Sequence, residues 1–226
     1  MKKQTKSPSP PHLIALTGGI GCGKSATSQI FEDLGAAIVE ADDLARQAVI
    51  PGSSGLTQIV EHFGSRILLP DGTLDRSQMA EVIFNNQAKR RELEKIVHPI
   101  VRSLLLEHLV TIKTTSPEVR LIIYSVPLLF ETGSSEDDFD GIISVSCSKE
   151  IAMERIIKRD KIDRSFALKK ISSQLPVEEK NKRADFVIVN ETTLEDLRAQ
   201  IEILIPKLLE LPIRSRIMRS IGQHGY

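Results

Sequence analysis

The residues best suited to chemistry stand near the start of the chain, at residues 18–25, where the sequence reads GGIGCGKS. This stretch fits the pattern G-x-x-x-x-G-K-[ST], in which glycines let backbone N–H groups turn inward around an anion. In that pattern the lysine, here Lys24, reaches the β- and γ-phosphates of a nucleotide, while the hydroxyl of Ser25 ligates magnesium. The stretch therefore predicts a binding site for a nucleoside triphosphate.

The setting of this loop agrees with the motif. The apolar run of residues 13–16 precedes it, and an amphipathic helical pattern follows it and stops at Gly35. We expect a strand, a loop and a helix in that order. The predicted nucleotide contacts are Gly18, Gly19, Ile20, Gly21, Cys22, Gly23, Lys24, Ser25 and Ala26. Within the loop, Cys22 is either a small residue that fills a tight turn or a reactive thiol at a helix N-terminus.

Two carboxylates follow the next apolar run, which spans residues 36–39. In open α/β sheets, ligands bind at the carboxyl ends of the strands, so Asp42 and Asp43 stand where a carboxylate can face the γ-phosphate. Either residue can instead cap the helix predicted at residues 44–49, and position alone favours capping for at least one of them. Only one of the two needs to be catalytic.

A pair of arginines stands on the helical pattern that begins at residue 149. Arg155 and Arg159 are four residues apart, so they share one helix face. Phosphoryl transfer needs cations around the transferred group, and guanidinium groups bind phosphate through paired hydrogen bonds. Arginines at this spacing also decorate solvated helices, so the pair alone leaves both interpretations open.

Apolar runs that alternate with helical patterns predict an α/β fold. The five predicted strands are residues 13–16, 36–39, 119–126, 141–145 and 186–190. Their alternation with helices predicts a mostly parallel sheet covered on both faces, with the phosphate loop at the first strand-to-helix turn. A helical block separates the second and third strands, and its pattern breaks at Pro99. The acidic residues 134–140 are interpreted as a solvated connector, and Thr193 as the start of a long helix.

The composition restricts the class of protein. The chain has 226 residues, with 30 basic and 30 acidic side chains and a hydrophobic content of 41%. Because the charges cancel, we expect neither a nucleic acid nor a membrane as a partner. Its two cysteines, Cys22 and Cys147, suit a reducing cytoplasm. The longest apolar stretch, at residues 121–130, falls short of the ~20 residues that cross a bilayer.

Taken together, these motifs resemble the dephospho-coenzyme A kinases, which phosphorylate the ribose 3'-hydroxyl of dephospho-CoA with ATP. The resemblance extends in order from about residue 13 to residue 205, so it is far more specific than the loop alone. Beyond the loop, the matching stretches are Ala41-Asp42, Ala45-Arg46, Phe63-Gly64, Asp71-Gly72, Leu74-Asp75-Arg76, Leu93-Glu94, His98-Pro99, Pro127-Leu128-Leu129-Phe130-Glu131, Arg159-Asp160, Gln174, Ala184-Asp185 and Asn190.

The resemblance implies a P-loop NTPase-type three-layer sandwich, with a parallel five-stranded sheet, a helical substrate-binding insertion and a mobile lid. The implied nucleotide-binding core comprises residues 13–50, 118–148 and 184–211. The CoA-binding insertion takes residues 51–117, and the lid takes residues 149–183. Residues 1–12 and 212–226 fall outside these parts, and we expect a flexible N-terminal tail and a frayed, basic C-terminal tail.

The resemblance also implies roles for single residues. Asp42 corresponds to the catalytic carboxylate that accepts the ribose hydroxyl proton, and Lys24, Arg155 and Arg159 complete the catalytic set. Asn190 corresponds to a contact on the nucleotide side. The implied substrate-binding residues are Asp42, Arg76, His98, Arg102 and Leu128. A histidine before a proline is also commonly structural, so both roles stay open for His98. The implied ligands are ATP, Mg²⁺ at Ser25, and dephospho-CoA.

This chain departs from the family's pattern at four positions. Cys22 replaces the usual serine of the loop and Ala26 a frequent threonine, but the phosphate cradle is made of backbone and loses no essential donor. Ser125 stands where many members carry an aspartate that can help to hold magnesium. Lys170 stands where the lid often has arginine, so a point charge replaces a planar fork.

Three functions are compatible with the residues at this point. The first is a kinase for dephospho-CoA, and the second is a related kinase for a nucleoside or a shikimate-like alcohol, which the helical block disfavours. The third is a nucleotide-dependent switch without turnover, for which only Ser125 and Lys170 argue. We expect a monomer or a weak homo-oligomer.

Overall fold

Five strands alternate with ten α-helices in the part of the chain that the structure describes. The structure is a computed structural model and describes residues 10–84, 86–132 and 135–223. The strands are β1 (His12–Gly18), β2 (Ala37–Glu40), β3 (Leu121–Ser125), β4 (Gly141–Ser146) and β5 (Phe186–Val189). The helices are α1 (Lys24–Asp33), α2 (Ala41–Gln47), α3 (Ser54–Phe63), α4 (Arg76–Phe84), α5 (Gln87–Thr115), α6 (Lys149–Asp160), α7 (Arg164–Ser172), α8 (Val177–Arg183), α9 (Leu194–Leu209) and α10 (Arg216–Gln223).

The strands form one sheet in the order β2-β3-β1-β4-β5. Strand β1 lies at its centre and pairs in parallel with β3 on one side and β4 on the other. Every residue of β1 and β3 is buried, as expected for parallel strands covered by helices on both faces. The predicted parallel five-stranded α/β fold is confirmed. Because β1 is central, the loop after Gly18 emerges in the middle of the sheet's carboxyl edge.

The core of the sheet is built by helices α1 and α9 together with the central strands. Phe31 of α1 and Ile201 and Leu208 of α9 are fully buried with Ile14 and Ile143. Helix α9 begins where the sequence predicted, because Thr193 forms a capping box with Asp196: the Thr193 hydroxyl accepts from the Asp196 N–H, and the Asp196 carboxylate accepts from the Thr193 N–H. This core holds the strand that carries the phosphate loop.

Residues Glu40–Leu109 form a second compact unit with a core of its own. Ala48 and Val49 are buried there with Ile59, Ile67 and Met79. The insertion was predicted to start at residue 51, but α2 belongs to this unit, because the residues that follow it are part of the same core. Helix α5 ends at Thr115, two residues before the predicted end of the insertion, and the compact unit ends within this helix at Leu109. The lid assignment of residues 149–183 stays a prediction.

The predicted break at Pro99 is wrong, since α5 runs through that residue. A proline inside a helix removes one hydrogen bond and disturbs the carbonyl four residues earlier. Here His98 and Pro99 are exposed, so water can solvate that carbonyl. Apolar side chains on both sides of the proline, including Val97 and Ile100, pack into the same core. This packing keeps the helix continuous.

The acidic connector predicted at residues 134–140 also differs from the prediction, because its last residue is buried. Asp140 is fully buried, and its carboxylate accepts hydrogen bonds from the N–H groups of Leu13 (2.9 Å), Arg214 (2.7 Å) and Ser215 (2.7 Å). Residues 136–138 form a short 3₁₀ turn in front of it. The solvated-connector interpretation is therefore wrong for Asp140, which joins β1 to the C-terminal segment.

The C-terminal residues 212–223 are not a frayed tail. Ile217 and Met218 of α10 are buried, and the buried Ser215 hydroxyl donates to the Asp138 carbonyl (2.6 Å). The Arg214 guanidinium pairs with Asp185 (3.0 Å). Arg214 and Arg216 thus form ion pairs, while Ile217 and Met218 pack inward. Residues 224–226 of the predicted C-terminal tail lie outside the described residues.

The N-terminal boundary needs a smaller correction. His12 was assigned to the flexible tail, but it is buried and begins β1, where its N–H donates to the Arg120 carbonyl (2.9 Å). Residues 1–9 of that tail lie outside the described residues. Among residues 10–84, 86–132 and 135–223, no helix combines the length and apolar character that a membrane span requires.

The buried carboxylate of Asp140 generates a stability prediction. In Asp140→Ala, three backbone N–H groups lose their acceptor, which should cost about 3 kcal/mol and lower the Tm by about 6 °C or more in calorimetry. Asp137→Ala is the matched control, because this carboxylate is exposed and pairs only with Arg216 at the surface. Equal Tm values for the two variants would show that Asp140 does not hold these segments together.

Candidate active site

The phosphate loop, defined as residues 18–25, has a backbone that only glycine accommodates at two positions. Gly21 and Gly23 have φ values of 79° and 90°, in the left-handed region. A Cβ atom at Gly21 would lie 2.6 Å from the Ala152 carbonyl oxygen, and one at Gly23 would lie 2.1 Å from Asn190 Nδ2. The loop is therefore packed against other segments and leads directly into α1, which begins at Lys24.

Asn190 and Arg155 support the loop from outside. The Asn190 side-chain amide donates to the Cys22 carbonyl (2.8 Å), and the Arg155 guanidinium donates to the Asn190 carbonyl (3.0 Å). Asn190 is buried, and its own N–H donates to the Ser146 carbonyl at the end of β4 (2.9 Å). Both predicted site residues thus lie beside the loop, where they fix its shape. A nucleotide contact by either residue stays a prediction.

Lys24 lies beside the end of the neighbouring strand β3. Its ammonium group donates to the hydroxyl of Ser125 at 2.5 Å, and Ser125 is fully buried. Ser125, at which the chain departs from the motifs that it resembles, therefore provides a hydroxyl acceptor for the loop lysine. Ser25, in the first turn of α1, is exposed, whereas Ala26 packs against the core. The hydroxyl of Ser25 is thus accessible to a ligand.

Lys180 is a buried cation beside the loop that the sequence analysis missed. This lysine of α8 is fully buried, and its ammonium donates to the Pro127 carbonyl (2.8 Å) and the Gly18 carbonyl (3.4 Å). It also pairs with the Glu131 carboxylate (2.8 Å). One cation thereby ties the first residue of the loop to the turn after β3. Val177 lies one turn earlier on the same face of α8 and packs against the core, and this apolar spacing was the signal available in the sequence.

The turn after β3 contains Leu128, a predicted substrate residue. Leu128 is half-buried, and its carbonyl accepts hydrogen bonds from the Thr132 N–H and hydroxyl, each at 3.0 Å. The Thr17 hydroxyl donates to the Pro127 carbonyl (3.1 Å), so β1 and this turn are linked directly. The turn that carries Leu128 is therefore held at the carboxyl edge of the sheet.

Arg159 does not share the environment of Arg155. Its guanidinium makes two hydrogen bonds to Asp160, at 2.7 and 3.1 Å, and Lys170 pairs with the same carboxylate at 2.7 Å. The hydrogen bonds from Arg159 and Lys170 hold the pKa of Asp160 well below its ordinary value. The position at which Lys170 departs from the family's pattern thus joins α7 to the end of α6.

The remaining predicted site residues belong to the Glu40–Leu109 unit. Asp42 and Asp43 lie inside the first turn of α2, and the N-cap residue Glu40 makes no side-chain capping bond. The capping interpretation is therefore wrong for both, although negative charge in the first turn suits the helix dipole. Asp43 forms an ion pair with Arg46, and Asp42 is exposed.

Three predicted substrate residues of that unit are exposed. Arg76 is the first residue of α4, while His98 and Arg102 are one turn apart on α5 and share a face. Their exposure leaves both the structural and the substrate-binding role of His98 open. The structure brings the loop, Ser125, Arg155, Asn190 and Lys180 together in one unit.

The Lys180 contacts generate a prediction. In Lys180→Met, the Glu131 carboxylate and two carbonyls lose their donor, so we expect a loss of about 3 kcal/mol in the free energy of unfolding. We also expect a raised KM for ATP, because Gly18 is no longer tied to Pro127. Lys182→Met is the matched control on the same helix, since Lys182 is 71% exposed and pairs only with Glu179. Similar urea denaturation curves for both variants would contradict this role.

Comparison with known proteins identifies the family. A family model described as "Dephospho-CoA kinase" matches residues 12–196. The dephospho-CoA kinase of Syntrophotalea carbinolica is 39% identical over 87% of this chain and 92% of its own, and that of Geobacter sulfurreducens is 41% identical over 84% and 95%. Among solved structures, TT1252 from Thermus thermophilus has 31% identity and a TM-score of 0.75, with 88% of this chain and 99% of that chain covered.

The dephospho-CoA kinase from Campylobacter jejuni is similar as well, with 28% identity and a TM-score of 0.56 over 88% of this chain and 98% of its own. The family model extends from β1 through the phosphate loop to the start of α9. Because the family model covers most of the chain and relatives of this family are 39% and 41% identical to it, the chain belongs to the dephospho-CoA kinase family.

Proposed function

We propose that this chain transfers the γ-phosphate of ATP to the ribose 3'-hydroxyl of dephospho-CoA, which is the last step of coenzyme A biosynthesis. The observation that carries the proposal is the phosphate loop at the centre of the sheet's carboxyl edge, in a chain of this family. Catalysis of phosphoryl transfer depends mainly on positioning and electrostatic stabilisation. The residues are therefore assigned by what they can bind and orient.

The triphosphate of ATP is bound by the loop. Backbone N–H groups of the loop and the positive end of the α1 dipole hold the phosphates, whereas the N–H groups of Gly19 and Cys22 donate within the protein, to the Val145 and Gly19 carbonyls. The Lys24 ammonium has three donors, so it can bind a phosphate oxygen and still donate to Ser125. The Asn190 and Arg155 contacts support this site by fixing the loop.

The oxygen atoms available near the loop suit magnesium as ligands. The exposed hydroxyl of Ser25 is an oxygen ligand of the kind that Mg²⁺ accepts, and it leaves room for phosphate oxygens and water. Within the described residues, no group of three or more His, Cys, Asp or Glu side chains forms a metal site of its own. Bound Mg²⁺ would supply charge neutralisation at the β- and γ-phosphates.

Asp42 is assigned to the acceptor hydroxyl. It follows β2 by two residues; both carboxylates of this turn are exposed, but Asp43 already pairs with Arg46, so we assign Asp42. As a carboxylate, Asp42 accepts a hydrogen bond from the ribose 3'-hydroxyl, orients its oxygen toward the γ-phosphorus and takes its proton as the bond forms. Orientation of this kind needs no raised pKa.

Cations complete the site. Arg155, already beside the loop, and Arg159 stabilise the negative charge on the transferred phosphoryl group. Arg159 would exchange Asp160 for phosphate when the lid closes, and Lys170 remains to pair with Asp160. We assign the exposed Arg76, His98 and Arg102 to the diphosphate of dephospho-CoA and Leu128 to an apolar contact with this substrate.

We place this reaction in the cytoplasm, in a monomer or a weak homo-oligomer that binds only small molecules. The equal numbers of basic and acidic side chains, 30 of each, offer no net attraction for nucleic acid or anionic lipid. Both cysteines are free thiols, which suits a reducing compartment.

The reaction is tested by coupled measurement of ADP release with ATP, magnesium and dephospho-CoA. We expect release that depends on dephospho-CoA and a product that carries a new 3'-phosphate by NMR. Parallel reactions contain adenosine, shikimate or no acceptor. ADP that forms only with another acceptor would assign the chain to a different alcohol. Binding of ATP without any turnover would favour the switch that the sequence left open.

The two adjacent carboxylates provide a matched pair of variants. Asp42→Asn should lower kcat by about a hundredfold or more with little change in the KM for ATP, because the acceptor hydroxyl loses its base and orienting group. Asp43→Asn should change kcat by no more than about twofold, since it loses only a surface ion pair. Full turnover by Asp42→Asn would remove Asp42 from the mechanism.

A further inference from the structure

The two cysteines of the chain lie against each other behind the phosphate loop. Cys22 is part of the loop and Cys147 follows β4, yet their sulfur atoms are only 2.9 Å apart. Both are buried, with 2% and 5% of their surfaces exposed, and both are free thiols. Two cysteines held in contact in this way are suited to form a disulfide with a small movement.

A cavity gives small molecules access to this pair. It has a volume of about 400 Å³ and is lined by both cysteines, by Gly19 and Ile20 of the loop and by residues 171, 172 and 174–178. Within the described residues, no third His, Cys, Asp or Glu side chain joins the pair to form a metal site. The cysteine pair therefore has the chemistry of a dithiol.

The surroundings of the two thiols make them unequal. A hydrogen bond with the Cys22 thiol and the nearby charge of Arg155 lower the pKa of Cys147, against the opposing effects of burial and Glu191. Cys147 also precedes the N-terminus of α6, whose dipole favours a thiolate. The contact with Cys147 and burial raise the pKa of Cys22. Cys147 is thus the better nucleophile, and Cys22 is its neighbouring thiol.

We propose that Cys22 and Cys147 form a reversible disulfide that switches off the phosphate loop under oxidising conditions. The oxidant is a hydroperoxide such as hydrogen peroxide. The Cys147 thiolate attacks one peroxide oxygen; the S–O bond forms, the O–O bond breaks, and the leaving hydroxide takes a proton to become water. Cys22 then loses its proton and attacks the Cys147 sulfur, and the S–O bond breaks with release of a second water.

The loop responds because Cys22 has little room to move independently of it. Forming a disulfide shortens the sulfur separation from 2.9 Å to about 2.05 Å. The Cys22 carbonyl is held by Asn190, and its sulfur lies 2.9 Å from where a Cβ atom at Gly19 would be. A shift of the sulfur is therefore transmitted to the backbone whose N–H groups hold phosphate. Misplacement of about 1 Å in an active site can reduce the rate by two orders of magnitude.

The regulatory part of this inference rests on the proposed function, so its test has a separate chemical readout. The full chain is treated with hydrogen peroxide, and its intact mass and free thiols are measured after denaturation. We expect both thiols to disappear together, a mass lower by two hydrogen atoms, and a peptide that links Cys22 to Cys147. In the same samples, turnover with ATP and dephospho-CoA should fall by at least about tenfold and return after reduction with dithiothreitol.

Cys147→Ser is the control variant, because the serine keeps a small polar group while leaving Cys22 in place. We expect it to form no disulfide and to retain its turnover at the peroxide dose that inactivates the wild type. Two intact thiols in inactivated wild type, or a disulfide without loss of turnover, would overturn the proposal. If the reduced protein had no kinase activity, the proposed function would fail, while the mass measurement would still decide whether the disulfide forms.

Discussion

The structure depends above all on how tightly the phosphate loop is packed from outside. The loop is made of backbone that curves around an anion, and such a curve is kept only where surrounding groups fix it. Asn190 holds one carbonyl of the loop, Lys180 holds another, and the Gly23 Cα leaves no space for a side chain beside Asn190. The phosphate site is therefore a consequence of packing between β1, β4, β5 and α8 as much as of the loop's own sequence.

Buried charged groups perform much of this fixing. Lys180 and Asp140 are both fully buried, and each binds backbone groups of segments that are far apart in the chain. Burial of a charge is costly unless hydrogen bonds satisfy it, and here carbonyls surround the ammonium and N–H groups surround the carboxylate. The two residues connect the sheet to α8 and to the C-terminal segment, so β1 and the loop that follows it are held by the same contacts that stabilise the fold.

The sequence predicted those features that depend on local patterns. The strand, glycine-rich loop and helix from His12 to Asp33, the parallel sheet and the Thr193 cap all follow from short-range spacing, and all are present. The burial of Asp140 and Lys180 was not predictable in this way, because their partners are distant in sequence and a charge in a polar stretch normally indicates solvent. The continuity of α5 through Pro99 was not predictable either, because it depends on tertiary packing of the residues on both sides of the proline.

The most direct test of this account is the affinity for ATP of Gly23→Ala, measured by calorimetric titration beside Gly35→Ala. Both glycines have φ near 90°, so both variants carry similar backbone strain, but a Cβ atom meets Asn190 only at Gly23 and nothing within 4 Å at Gly35. We predict that Gly23→Ala binds ATP at least about tenfold more weakly, whereas Gly35→Ala binds like the wild type. Wild-type affinity in Gly23→Ala would contradict the claim that packing behind the loop creates the phosphate site.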